Sequence, residues 1–148
     1  MIKGNIEEML SVEGVYIATT AGVSMFPLLR NRKDNAVILP KPRKLNRFDV
    51  VLYKRDNVYI LHRIVDIKDG RYIIRGDNRD NFEYDITDEH IIGILNGVYR
   101  GNVYISVKNP VYLTYSRLVV WLFPLRTFYK KTLRFLAKIK NKIFKRSN

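Results

Sequence analysis

Apolar positions between residues 15 and 107 fall in short runs separated by turn-forming residues, and beyond residue 110 their spacing lengthens to that of a helix. The β-branched run Val15 to Thr20 predicts a strand, and Ala36 to Leu39 a second, shorter one. Val50–Lys54 and Val58–Val65 are joined by Arg55-Asp56-Asn57, a three-residue turn. Asp69-Gly70 is the strongest hairpin signal and links Ile64–Lys68 to Arg71–Arg75. Ile86–His90 then leads into Ile91–Tyr99, and Gly101-Asn102 turns the chain into Val103–Val107. Strands this close together, joined by local turns, predict an antiparallel all-β domain that coils into sheets or a partial barrel. Asn5, followed by Glu7 and Glu8, caps a short helix reaching about Val12.

Charge divides the chain. Residues 1–110 hold 17 Lys/Arg and 14 Asp/Glu, a balance of +3, whereas residues 111–148 hold 10 Lys/Arg and no acid, a balance of +10. Two domains are therefore expected, a β body over 1–110 and a basic helical tail over 111–148. Val111–Leu125 is mostly apolar, but at 1.5 Å per residue it would span about 22 Å, short of a bilayer core. Leu125, Phe128, Tyr129, Leu133, Leu136, Ile139, Ile143 and Phe144 then fall near one helical face, with Arg126, Lys130, Lys131, Arg134, Lys138, Lys142 and Lys145 around the rest. Tyr112, Tyr115 and Trp121 are residue types that favour the headgroup zone. The tail reads as a helix lying on an anionic membrane surface. A helix packed on the body is the competing reading. A nucleic-acid partner is not expected, because neither a helix-turn-helix pattern nor an RNA-binding box accompanies the charge.

The chain has no cysteine, which excludes disulfides and thiolate metal sites. Its only imidazoles are His62 and His90, so a zinc protease with paired histidines on one helix is excluded too. No metal or cofactor is expected. The first residues contain no long apolar stretch and carry acids, so no signal peptide is expected there.

Three segments carry candidate chemistry. Gly22-Val23-Ser24-Met25-Phe26-Pro27 places a serine in a turn directly after a strand. His62 lies mid-strand, with Ile60 and Ile64 on its face and Arg63 on the other. Gly76-Asp77-Asn78-Arg79-Asp80-Asn81 is a charged loop. A serine needs a base to attack at neutral pH, and a base needs an orienting partner. Each segment also has a plainer reading: a turn former, a hydrogen-bonded core histidine, a self-solvating loop.

Taken together in this order, the segments resemble type I signal peptidases and the wider group that includes LexA-like self-cleaving repressors. Ser24-Met25-Phe26-Pro27 is similar to the nucleophile box and Gly76 to Asn81 to the last box of bacterial signal peptidases. Phe48-Asp49-Val50-Val51 and Ile91-Ile92-Gly93 fit the same framework, so the likeness covers roughly residues 15–98. The departure is His62-Arg63, where bacterial members place a lysine; signal peptidases of the endoplasmic reticulum, archaea and some spore-formers have histidine-arginine. Phe82 stands where bacterial members carry a serine that supports the lysine. Gly22 stands where many carry an oxyanion hydroxyl, so the Ser24 and Met25 backbone amides are expected to take that charge.

The resemblance implies a mainly β, signal peptidase/LexA-like fold with a short N-terminal helix and C-terminal basic amphipathic helices. It implies a serine endopeptidase with Ser24 as nucleophile, His62 as general base, and Asp77 or Asp80 as orienter of the imidazole. The substrate would be an extended signal or leader peptide, cut near small residues, as in compact peptidases found with ribosomally made peptide products. A peripheral place on the cytoplasmic membrane of a prokaryote follows from the same reading. The alternative is a non-catalytic, membrane-associated peptide-binding or scaffold protein. A LexA-like regulator fits less well, since its lysine and a DNA-binding domain are both absent.

Overall fold

A computed structural model describes the backbone of residues 6–144, and within it the side chains outside 130–131 and 139–144. The expected Asn5 cap and the apolar positions Ile139, Ile143 and Phe144 lie outside those descriptions. The element order is α1 (Ile6–Glu13), β1 (Tyr16–Thr19), β2 (Asp34–Pro40), β3 (Val50–Arg55), β4 (Val58–Lys68), β5 (Arg71–Arg75), β6 (Glu83–Ile86), β7 (Ile91–Arg100), β8 (Val103–Ser106), α2 (Pro110–Trp121) and α3 (Phe123–Phe144). The described residues thus form a mainly antiparallel β body with a short N-terminal helix and C-terminal helices.

The strands form one sheet in the order β1-β2-β7-β3-β4-β5-β6, with β8 pairing β7, and every pairing is antiparallel. The local hairpins sit where the turn residues put them: β3–β4 closes on Asp56 and Asn57, and β4–β5 on Asp69-Gly70, all three non-glycine positions at positive φ. One strand, β4, runs through what the sequence suggested as two. β6 was not anticipated, because Glu83-Tyr-Asp-Ile86 is largely polar and Asp85 takes a positive φ within it.

Register shifts in β2–β7, β3–β7 and β4–β5 coil the sheet, leaving two cores. One gathers Leu10 of α1, Met25, Leu29, Ile38, Leu52 and Tyr112 of α2; the other gathers Val51, Tyr53, Ile64, Ile74, Ile86 and Ile91. Only residues 63–68 of β4 pair with β5, so residues 58–62 pair with β3 alone. That half-strand and the edge strand β1 both border an open groove.

The tail does not begin at residue 111 as a separate unit. Asn109 caps α2 by accepting from Val111 N at 2.8 Å, with Pro110 in the first turn. Tyr112, Ser116 and Val120, one turn apart, are buried against the body. The charge step at 110 marks a change in composition, but the packing boundary lies beyond α2. In α3, Leu125, Phe128, Tyr129, Leu133, Phe135 and Leu136 are exposed. Among the described residues, no helix is long and apolar enough to cross a membrane.

Candidate active site

The groove encloses about 730 Å³ and is lined on one side by Ala18, Thr19 and Thr20, and on the other by Tyr59, Ile60 and His62. Ser24, Arg79 and Glu83 also face it. Ser24 is held by its neighbours. Gly22 takes a φ of +96° and donates its N–H to Asn31 Oδ1 at 2.9 Å, while Met25 and Leu29 plug into the core. Phe26 N donates to Val23 O at 3.2 Å and Leu29 N to Met25 O at 2.9 Å, closing the turn. Among the described residues, neither the Ser24 nor the Met25 amide donates a backbone hydrogen bond.

His62 is 8% exposed, and its two ring nitrogens face different surroundings. Nδ1 lies 2.9 Å from Glu83 Oε1 and 3.2 Å from the Tyr53 hydroxyl, which itself donates to Glu83 Oε2 at 2.6 Å. With the Tyr53 proton committed to Glu83, the Nδ1 side offers only acceptors, so Nδ1 carries the ring proton and Nε2 the lone pair. Burial and Glu83 both push the Tyr53 pKa up and keep that hydroxyl protonated. Nε2 looks toward the Ser24 turn: a Cβ built on Gly76 would stand 3.0 Å from Nε2 and 2.8 Å from the Ser24 carbonyl oxygen. Both groups therefore flank one point that only a glycine leaves clear. The Ser24 hydroxyl forms no hydrogen bond to the ring here; catalytic hydrogen bonds often close only in the complex with substrate.

Burial holds the His62 pKa below its ordinary value. Glu83 acts the other way without cancelling it, and Arg79 adds to the lowering. A neutral imidazole at neutral pH is the form a general base requires.

Neither aspartate expected to orient the ring does so. Asp77, 1% exposed, receives Arg63 Nε and Nη2 at 2.8 Å each and the Tyr115 hydroxyl at 2.9 Å. Arg63 is itself fully buried and also donates to Ser116 Oγ and Phe48 O, both at 2.8 Å. Burial opposes the Arg63 charge, but Asp77 more than offsets this and raises its pKa. Strand alternation explains the outcome: Arg63 points to the face opposite His62 and claims Asp77 there. Asp80 faces Arg126 at 3.4 Å and Arg134 at 3.5 Å. Glu83 is the residue the sequence reading missed, and its signal was faint, an acid directly after the charged loop in a polar strand.

Phe82 meets Phe123 edge-on at 5.1 Å, and Arg75 stacks on Phe123 at 3.4 Å. Burial, with Arg126 nearby, pulls the Arg75 pKa down to about 10. Among the described residues, no group of histidines and carboxylates could hold a metal ion. Scans of the chain against protein-family models and against curated proteins found no match.

Proposed function

We propose that this chain is a serine endopeptidase in which Ser24 attacks the scissile carbonyl, His62 takes and returns the proton, and Glu83 orients the imidazole. The observation that carries the reading is the divided surroundings of His62: Nδ1 is fixed by Glu83 and Tyr53, and Nε2 is turned toward the Ser24 turn. In the first step Ser24 Oγ bonds to the carbonyl carbon, its proton passes to Nε2, and the negative oxygen meets the Ser24 and Met25 amides. The imidazolium then protonates the leaving amine, and Glu83 stabilises the transient cation. Water repeats the sequence to release the acyl group.

The fold we assign by resemblance is the signal peptidase/LexA-like one, and the substrate an extended signal or leader peptide. Support for an extended substrate comes from the open edges of β1 and of residues 58–62, which offer unpaired backbone groups along the groove. Support for a membrane surface as partner comes from the exposed Trp121, Leu122, Leu125 and Phe128 beside an acid-free basic sequence. The test is a peptide library screened by mass spectrometry. Wild type should cut a subset of peptides, and Ser24→Ala and His62→Ala should cut none. Peptide binding without cleavage by any form would instead favour the non-catalytic binding protein.

A further inference from the structure

We infer that Arg126, on α3, is a positioning residue for the nucleophile, holding the 76–80 loop against the Ser24 turn. The inference rests on the peptidase reading above. The Arg126 guanidinium donates from Nη1 to the Asp77 carbonyl and from Nη2 to the Arg79 carbonyl at 2.9 Å, with Asp80 Oδ1 at 3.4 Å. A planar guanidinium fork can hold two carbonyls in fixed directions, which an ammonium cannot.

What those carbonyls belong to gives the contact its consequence. Between them lies Asn78, whose N–H donates to the Ser24 carbonyl at 2.7 Å and whose side-chain amide donates to Val23 O at 3.2 Å. Arg79 N closes the loop on Gly76 O at 2.9 Å, and Gly76 is the residue wedged between Ser24 O and His62 Nε2. One peptide turn thus separates the Arg126 guanidinium from both members of the dyad. The start of α3 is anchored independently: Arg126 N donates to Leu122 O at 3.0 Å, and Phe123 is clamped by Arg75 and Phe82. Arg63 already secures the Asp77 side chain. Arg126 therefore adds control over the direction of the loop's peptide planes while the loop's attachment survives without it. The expected signature is lost rate with retained fold.

Labelling of the full chain by a fluorophosphonate probe reads nucleophile geometry without needing the natural substrate. Wild type should label at Ser24, and Arg126→Ala should label roughly 10- to 100-fold more slowly, the loss expected from a misplacement of up to 1 Å. Its thermal midpoint should stay within a few degrees of wild type. Arg126→Lys should be intermediate, and added methylguanidinium should restore part of the Arg126→Ala rate but none of that of Ser24→Ala. If Arg126→Ala does not fold, Arg126→Lys and Arg126→Gln carry the same comparison. Labelling of the variants at the wild-type rate would overturn the inference alone. So would a loss that follows thermal destabilisation and resists methylguanidinium. Wild type that labels no faster than Ser24→Ala would overturn the peptidase reading, and the inference with it.

Discussion

Gly76→Ala puts the proposed dyad under a direct mechanical test. The new methyl would stand 2.8 Å from the Ser24 carbonyl oxygen, 3.0 Å from His62 Nε2 and 3.0 Å from Arg79 Cγ, where ordinary contacts begin at 3.4 Å. Relief requires the Ser24 carbonyl to recede by 0.6 Å and the ring by 0.4 Å, differences taken from those same distances. The Arg79 stem can swing aside, but the Ser24 carbonyl is backbone and the ring is tied to Glu83 and Tyr53. The methyl therefore drives the two groups apart by a sizeable fraction of an ångström. Misplacement of about 1 Å costs about 100-fold in rate, so kcat should fall roughly 10- to 100-fold. Overpacking costs about 1–3 kcal/mol, and the lower entropy of an unfolded alanine returns about 0.4–1. The protein should remain folded with a modestly lower thermal midpoint. The assay is kcat and KM on a peptide selected from the library, alongside a thermal melt. Wild-type kcat in a folded Gly76→Ala protein would refute the placement of Nε2 against the Ser24 turn.

Other outcomes follow from the same geometry. The acid limb of kcat/KM should lie below the ordinary histidine value of about 6.5, since burial depresses the His62 pKa. Folding stability should fall as pH drops from about 6.5 toward the depressed folded-state value and level off below it, because within that window the unfolded imidazole binds a proton that the folded one does not. Glu83→Gln should lower kcat roughly 100-fold or more and move the limb further down, while Arg79→Ala should move it up; a pH–rate series checks both signs. Asp77→Ala should destabilise the fold by about 3–5 kcal/mol in denaturant melts, because it strands the buried Arg63 charge. Deleting 111–148 should unfold the body by stripping Tyr112, Ser116 and Val120 from it, whereas deleting 130–148 should leave it folded. Full-length protein should co-sediment with anionic vesicles at low salt and be released at high salt, the screening length being about 8 Å at physiological ionic strength.

The turn chemistry of Asp56-Asn57, Asp69-Gly70 and Gly101-Asn102 is local, and so the hairpins were legible from the chain. Alternation along β4 likewise puts His62 and Arg63 on opposite faces from the sequence alone. Glu83 was not legible, because its partnership with His62 depends on how the bulged β4–β5 and β5–β6 registers bring a third strand alongside. Asp77 drew attention through its neighbours in the loop, yet its partner was decided by Arg63, buried and unable to remain uncompensated. The role of α2 was obscured by the charge step at residue 110. One of its links to the body is a hydrogen bond between Arg63 and Ser116, 53 residues apart, which no local pattern announces.

The most direct test of the central claim is the site and pH dependence of fluorophosphonate labelling, followed by intact mass and peptide mapping. One adduct on Ser24 is expected, absent in Ser24→Ala and nearly absent in His62→Ala, with a rate that falls in acid as a single group below pH 6.5 takes up a proton. Labelling elsewhere, or undiminished labelling of Ser24 in His62→Ala, would contradict the account.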